Sequence, residues 1–375
     1  MNMIRMAGRS EVYFADMRVG PNEGLLDKMR RLVYAAGIGG MDMDKKFVAV
    51  KMHFGEPGNL SYLRPNYAKV IADIVKEKGG IPFLTDCSTL YVGRRKDAVE
   101  HLDAAYENGF NPFATGCHVI MGDGLKGDDD VDVPIDGVCL KSAKIGRAVF
   151  DADIMISLTH FKCHELTGFG GTIKNLGMGC ASRRGKMELH SSNKPSVDRK
   201  RCVGCGYCAD RCARSAISVK GKKACINEDL CVGCGRCISM CRYDAVNVDM
   251  DQPHDILCKR TAEYALASVT GKQSFHVSFV VDVSPSCDCY GHNDVPIVPD
   301  VGMFASFDPV ALDVACADSV NRQPVVKGSV LDGKTKDCDD RFKCTHPATD
   351  WKVMTEHAER IGLGRTDHDL KDIGL

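Results

Sequence analysis

Cys202-Val-Gly-Cys205-Gly-Tyr-Cys208-Ala-Asp-Arg-Cys212 sets four cysteines at intervals of x2, x2 and x3, and Cys231-Val-Gly-Cys234-Gly-Arg-Cys237-Ile-Ser-Met-Cys241 repeats the spacing. Three thiolates in so short a loop can cap three corners of an iron–sulfur cubane, leaving the fourth to a cysteine further along. Where two such runs pair, the fourth cysteine of each serves the other cluster. The expected ligand sets are Cys202, Cys205 and Cys208 with Cys241, and Cys231, Cys234 and Cys237 with Cys212, each holding a [4Fe–4S] cluster. Two CxxC pairs can also bind zinc, but this spacing is not the zinc pattern.

The two runs read as copies of one unit. At an offset of 29 residues, 202–219 and 231–248 share nine identities in eighteen positions, among them Gly204/Gly233 and Gly206/Gly235. Glycine there lets the loop turn tightly around a cluster. The span resembles the two-cluster ferredoxin module, with one departure: the proline that usually follows the fourth cysteine is Ala213 in one run and Arg242 in the other. That proline is not a ligand, so its loss bears on loop rigidity.

Around this unit the sequence changes character. Before it, strand-like runs (Val12–Ala15, Phe47–His53, Ile81–Thr85, His118–Met121, Ala148–Phe150, Ile154–Thr159) alternate with amphipathic helical ones (Gly24–Ala36, Pro65–Lys78, Asp97–Asn108). Strands spaced by helices of this length indicate βαβ crossovers. After a polar linker at 191–195 and the cysteine unit, the pattern resumes with a helix at Lys259–Val269, a strand at Phe275–Val283 and a helix at Pro309–Val320. The expected fold is an α/β host domain with a largely parallel sheet, residues 1–195 and 251–375, interrupted at 196–250 by a small α+β ferredoxin-like domain.

A length of 375 residues suits two or three compact units, and 44% hydrophobic with 26% charged residues is ordinary for a globular protein. The formal charge of −1 gives no sign of a nucleic-acid or membrane partner. No apolar run approaches the ~20 residues that span a bilayer, and the first residues lack an apolar signal core, so the expected location is cytoplasmic. Twenty cysteines fit a reducing, oxygen-poor setting and hence an anaerobic source. The 196–250 segment carries +4 and the remainder −5. A mildly basic module favours an acidic redox partner protein or an anionic substrate; an ordinary solvated surface fits equally.

A second informative stretch runs Thr159-His-Phe-Lys-Cys-His-Glu-Leu-Thr-Gly-Phe-Gly-Gly-Thr-Ile-Lys-Asn-Leu-Gly-Met-Gly-Cys180. It begins where a buried strand ends, the place where open α/β sheets bind ligands. Together with Asp282-Val-Ser-Pro-Ser-Cys-Asp-Cys289 and Ser306-Phe-Asp-Pro-Val-Ala-Leu-Asp313 it resembles the iron–sulfur branch of the family catalogued as domain of unknown function 362, over nearly the whole chain. The resemblance implies the architecture above and brings no reaction with it.

From the residues themselves, His160, Cys163, His164, Lys174, Cys287 and Cys289 are the candidate chemical groups. Gly168, Gly170 and Gly171 can turn backbone N–H groups inward, and Thr172 can open a helix whose start favours an anion, with Asn175 beside it. The same glycines serve equally well for close helix–sheet packing. Cys163, Cys180, Cys287 and Cys289, or a mixture with the histidines, have the soft donors for a third metal or cluster, although unpaired cysteines are more often small buried hydrophobes. Lys51 and His53 end a strand and can face His160; Asp308 before Pro309 fits a helix N-cap. Cys338, Cys344 and His346 form a looser, structural group. The residues fit three functions: electron delivery to a substrate, cofactor or metal in the host domain; an electron carrier without chemistry of its own; and a non-redox metal-assisted enzyme with structural clusters.

Overall fold

Ile154–His160 is buried at every position, as a strand is only in the middle of a sheet covered on both faces. Its alternate residues Ile154, Ile156 and Leu158 pack into one apolar cluster, while Met155 and the following Phe161 pack into another. Phe47–Lys51 and Gln273–Val280 flank it, both parallel to it. The computed structural model, which describes residues 8–91, 93–190, 194–248, 252–334 and 339–374, extends this to an eight-stranded sheet. Its order is His368–Asp372, Ser10–Asp16, Gly302–Ser306, Gln273–Val280, Ile154–His160, Phe47–Lys51, Ile81–Thr85, His118–Val119. Gly302–Ser306 runs antiparallel to both neighbours, and the other seven strands share one direction. The sheet is thus largely parallel, as the βαβ pattern requires.

One face is covered by Leu25–Ala35, Pro65–Glu77 and Ala98–Glu107, whose apolar residues at helical spacing enter the cluster with Ile156. The other carries Thr172–Cys180, His254–Val269, Pro309–Asn321 and Lys352–Arg360. Local chemistry sets the helix starts: Asp97 accepts from Val99 N and Glu100 N, and Asp308 accepts from Val310 N and Ala311 N ahead of Pro309. Packing on the second face is close. A Cβ on Gly177 would stand 2.1 Å from the Thr261 carbonyl oxygen, so glycine lets the Thr172–Cys180 helix lie directly on His254–Val269.

Several boundaries differ from those expected. Ala148–Phe150, expected as a strand, lies in the short helix Arg147–Asp151; its apolar run is too short for periodicity to separate the two states. The strand expected over Phe275–Val283 ends at Val280, and the one over Phe47–His53 ends at Lys51. The 159–180 stretch, with its expected helix start at Thr172, also holds an unforeseen hairpin of Lys162–His164 with Gly168–Gly170. Part of the linker at 191–195 and Cys338 lie outside the described residues.

Residues 194–248 form a small unit of two short antiparallel pairs, Ser196–Val197 with Val246–Asn247 and Ile217–Lys220 with Lys223–Ile226, and two short helices, Tyr207–Asp210 and Arg236–Met240. The first pairing brings the two ends of the segment side by side. Its apolar cluster is its own, built on Cys202, Cys208, Ile217, Ala224 and Ala245. Among the described residues no helix is long and apolar enough to cross a membrane.

Candidate functional site

Because the central strands point one way, their carboxyl ends gather on one edge, and a cavity of about 640 Å³ opens there. Lys51 and His53 come from the end of one strand, Asp86 and Thr89 from the next, His160, Lys162 and His164 from the third, and Cys287 and Cys289 from the segment after Gln273–Val280. Lys174 and Asn175 reach in from the Thr172–Cys180 helix, and Lys186 and His190 from the helix Arg183–His190.

The sulfur end of the cavity is the most polarised part. The donor atoms of His164, Cys287 and Cys289 lie within 4.8 Å of one another, and Lys174 Nζ is 4.0 Å from Cys287 Sγ. A hydrogen bond from the Cys289 thiol, with Lys174 and His164, outweighs burial and holds Cys287 well below the usual thiol range, while Cys289 is pushed well above it. Burial disfavours charge on Lys174, but Cys287, Cys289 and Glu165 more than compensate and raise its pKa. His164 Nδ1 accepts the Leu166 N–H at 3.1 Å. With that nitrogen accepting, the neutral ring carries its proton on Nε2, which then donates toward Cys287. Burial and Lys174 lower the His164 pKa, favouring this neutral form.

Buried ion pairs frame the rest. Lys51 meets Asp86 at 3.0 Å, Arg95 meets Glu56 at 2.8 Å, and Lys162 meets Asp288 at 3.1 Å. Burial alone would raise the Asp288 carboxyl, yet His160, Lys162 and His53 hold it well below the carboxylate range. Both ring nitrogens of His160 face acceptors, Asp288 through Nδ1 and the Val281 carbonyl through Nε2, each at 2.9 Å. His160 therefore lines the cavity as an anchor for Asp288.

The structure thus brings His160, His164, Lys174, Asn175, Cys287, Cys289, Gly170 and Gly171 to one cavity. Cys163 is not there: it sits fully buried in the apolar cluster, and burial pushes its thiol up to about 12. The Lys162–His164 strand turns alternate residues to opposite sides, which separates Cys163 from its neighbours. Cys180 is likewise buried, its thiol pushed up to about 11 by burial. The start of the helix at Thr172 is already filled by the protein's own carboxyl group: Asp313 accepts from Thr172 N at 2.6 Å and Ile173 N at 2.8 Å. Gly171 makes room for that carboxyl group, since a Cβ would stand 2.5 Å from Asp313 Oδ1. Gly168 packs against Trp351, and Asn175 ties Lys51 to the Leu158 carbonyl. Asp86, Arg95, Lys186 and His190 were not singled out from the sequence, because no motif or spacing ties any of them to the other cavity residues.

A second trio, Cys139, Glu263 and His357, also has donor atoms within 4.8 Å. Its carboxylate is saturated by the N–H groups of Val138, Cys139 and Leu140, each at 2.8 Å, and by His357 at 2.9 Å. That arrangement ties down the 137–140 loop.

In the cysteine unit the sequence repeat becomes a geometric one. Gly204 and Gly233 have φ of 69° and 67°, and Ser215 and Asp244, again 29 residues apart, have φ of 49° and 48°. Asp198 N donates to the Ala245 carbonyl and Asn227 N to the Ala216 carbonyl, each at 2.7 Å, a reciprocal exchange between the copies. Backbone N–H groups point at sulfur in both: Ala216 N at Cys212 Sγ, 3.3 Å, and Ala245 N at Cys241 Sγ, 3.2 Å. One crevice is lined by Cys202, Cys205 and Cys208 from the first run and Cys241 from the second. The unit also rests on the host domain. A Cβ on Gly235 would come 2.8 Å from Met187 Cγ, Arg236 pairs with Asp128 at 3.1 Å and Lys96 with Asp244 at 3.0 Å.

Fold and site together define an α/β protein with a charged, thiol-bearing cavity at its strand ends and a cysteine-rich unit beside it. The chain belongs to the family described as Domain of unknown function (DUF362), whose pattern matches residues 48–318. No curated protein matches it. Among solved structures it is similar to a protein from Thermotoga maritima, at 14% identity and a TM-score of 0.40 over 79% of this chain and 58% of that one. It is similar also to the lactate racemase apoprotein from Thermoanaerobacterium thermosaccharolyticum, at 10% identity and a TM-score of 0.37 over 75% of this chain and 53% of that one. The chain thus spans little more than half the length of either.

Proposed function

We propose that this is an iron–sulfur protein in which residues 196–250 form a ferredoxin-like insert carrying two [4Fe–4S] clusters, and that the clusters deliver electrons to a site in the host-domain cavity. The observation that carries the reading is the doubled cysteine loop leaning on the helix Arg183–His190, whose other residues Lys186 and His190 line the cavity. A helix is about 10–12 Å across, so a cluster held by Cys231, Cys234, Cys237 and Cys212 would lie within roughly that distance of the cavity wall.

The donor set fits cubanes. N–H groups aimed at Cys212 and Cys241 stabilise thiolate charge as cluster ligation requires, and the crevice shared by Cys202, Cys205, Cys208 and Cys241 supports crossed ligation. The clusters would supply single electrons; the chain's own residues hold them close to the cavity and make delivery intramolecular. Lys174 and Lys186 in the cavity favour a small anionic substrate, and the clusters need a redox partner protein to refill them. A purely carrying role leaves the convergence of Cys287, Cys289, His164 and Lys174 without a purpose. A third metal at His164, Cys287 and Cys289 is opposed by the His164 tautomer, because a ligating imidazole normally donates from its other nitrogen, here an acceptor.

Anaerobic purification followed by metal and sulfide analysis tests the cluster assignment. About eight iron and eight sulfide per chain are expected for two cubanes. Fewer than about four iron, or stoichiometric zinc, would sink it.

A further inference from the structure

Cys287 and Cys289 sit in a turn closed by Tyr290 N donating to the Cys287 carbonyl at 3.1 Å. The residue between them anchors it: the Asp288 side chain is held by His160 and Lys162, and its carbonyl accepts the Glu56 N–H at 2.9 Å. Both sulfurs are therefore fixed on the cavity side, adjacent to each other, with His164 and Lys174 against them. Two thiols held together in the wall of a cavity have a chemistry of their own, distinct from that of the eight cysteines at 202–241.

We propose that Cys287 and Cys289 are a dithiol–disulfide couple that reduces a small, anionic disulfide in the cavity, and that the couple is itself reduced by the two clusters. The second half of this statement rests on the electron-delivery reading above; the first does not. Cys287, as thiolate, attacks one sulfur of the substrate disulfide, forming a mixed disulfide and expelling one thiolate, which takes up a proton. Cys289 then gives up its proton and attacks the Cys287 sulfur, closing the Cys287–Cys289 disulfide and releasing the second thiol. Two electrons and one proton, the latter on Cys289, restore the thiolate–thiol pair. The clusters would supply these electrons singly, and a low-potential one-electron donor protein would refill them. Lys174 stabilises the attacking thiolate and, with Lys186, attracts a carboxylate-bearing substrate. Of the cavity's carboxylates, Glu56 and Asp86 are paired with Arg95 and Lys51, and Glu165 accepts from the Tyr290 hydroxyl at 2.9 Å.

The test uses the whole cluster-loaded protein and two probes of similar size, dithiodiglycolate and cystamine. After reaction under anaerobic conditions, free thiols are alkylated and cysteine peptides mapped by mass. The expected result is one Cys287–Cys289 disulfide and about two released thiols per chain, forming at least ~10-fold faster with dithiodiglycolate. A Cys289→Ser variant should trap half of the probe on Cys287. A photochemical one-electron donor should then reopen the disulfide in wild type but not in a Cys212→Ser variant that has lost a cluster. Full alkylation of both cysteines after either probe, or a stoichiometric metal released by Cys287→Ser, overturns the couple whatever the iron content. Equal rates with the two probes overturn the anionic preference. Disulfide reopening that is equally fast without the cluster overturns the electron route alone.

Discussion

Cys287 shows how residue chemistry is set by neighbours more than by burial. It is nearly inaccessible, which on its own raises a thiol pKa, yet the Cys289 hydrogen bond, Lys174 and His164 pull it the other way. Replacing Lys174 by Met should raise the Cys287 pKa and move the pH–rate profile of its alkylation upward by about one pH unit; an unchanged pH–rate profile would show that Lys174 is not the partner. Asp313 is shifted up to about 7, chiefly by burial, against the opposing N–H groups of Ile173 and Thr172. A carboxyl with a raised folded-state pKa contributes stability that is full below its unfolded value and is lost as pH climbs through about 7. Wild type should therefore lose stability in denaturant titrations between about pH 4 and pH 7, and Asp313→Asn should flatten that slope. Lys174 and Cys287, 113 residues apart, were both among the candidate groups because each follows a strand, whereas the Asp313 partnership was not visible in the sequence. The N-cap at Asp308, by contrast, was legible, because a cap and its proline are adjacent.

At the scale of elements, legibility followed periodicity. Ile81–Thr85 emerged with its expected bounds, and Pro65–Glu77 differed by a single residue, because apolar spacing over a full element leaves little choice. Gly302–Ser306, buried throughout and antiparallel, escaped notice, since a short apolar run carries no period. The Thr172–Cys180 helix was anticipated only at its start. What positions it is Gly177 against Thr261 and Asp313 at its N-terminus, both contacts distant in sequence. Gly177→Ala should push this helix off His254–Val269 and cost about 1–3 kcal/mol in chemical denaturation. It should also displace Lys174 and Asn175 from the cavity. A variant as stable as wild type would mean that the helix has slack which the close approach denies.

For the whole molecule, the sequence pattern led correctly to a largely parallel α/β sheet and to a strand after residue 250 rejoining the strands before residue 160: Gln273–Val280 pairs with Ile154–His160. The cavity's ion pairs were not legible, since each joins separate strand ends. If 196–250 is an insert, replacing it with a short Gly/Ser joint should leave a core that unfolds cooperatively, because the segment has its own apolar cluster and adjoining ends. Loss of cooperative unfolding would make the segment part of the host core. Crossed ligation has its own signature: Cys212→Ser should destroy the cluster of Cys231, Cys234 and Cys237 and spare that of Cys202, Cys205, Cys208 and Cys241. The central claim, two clusters packed together beside the cavity, is met most directly by the electron paramagnetic resonance spectrum of the anaerobically purified, fully reduced protein. Two cubanes held this close should give a broadened spectrum of two interacting spins, integrating to about two per chain. A single isolated spin signal, or none in protein of full iron content, would contradict it.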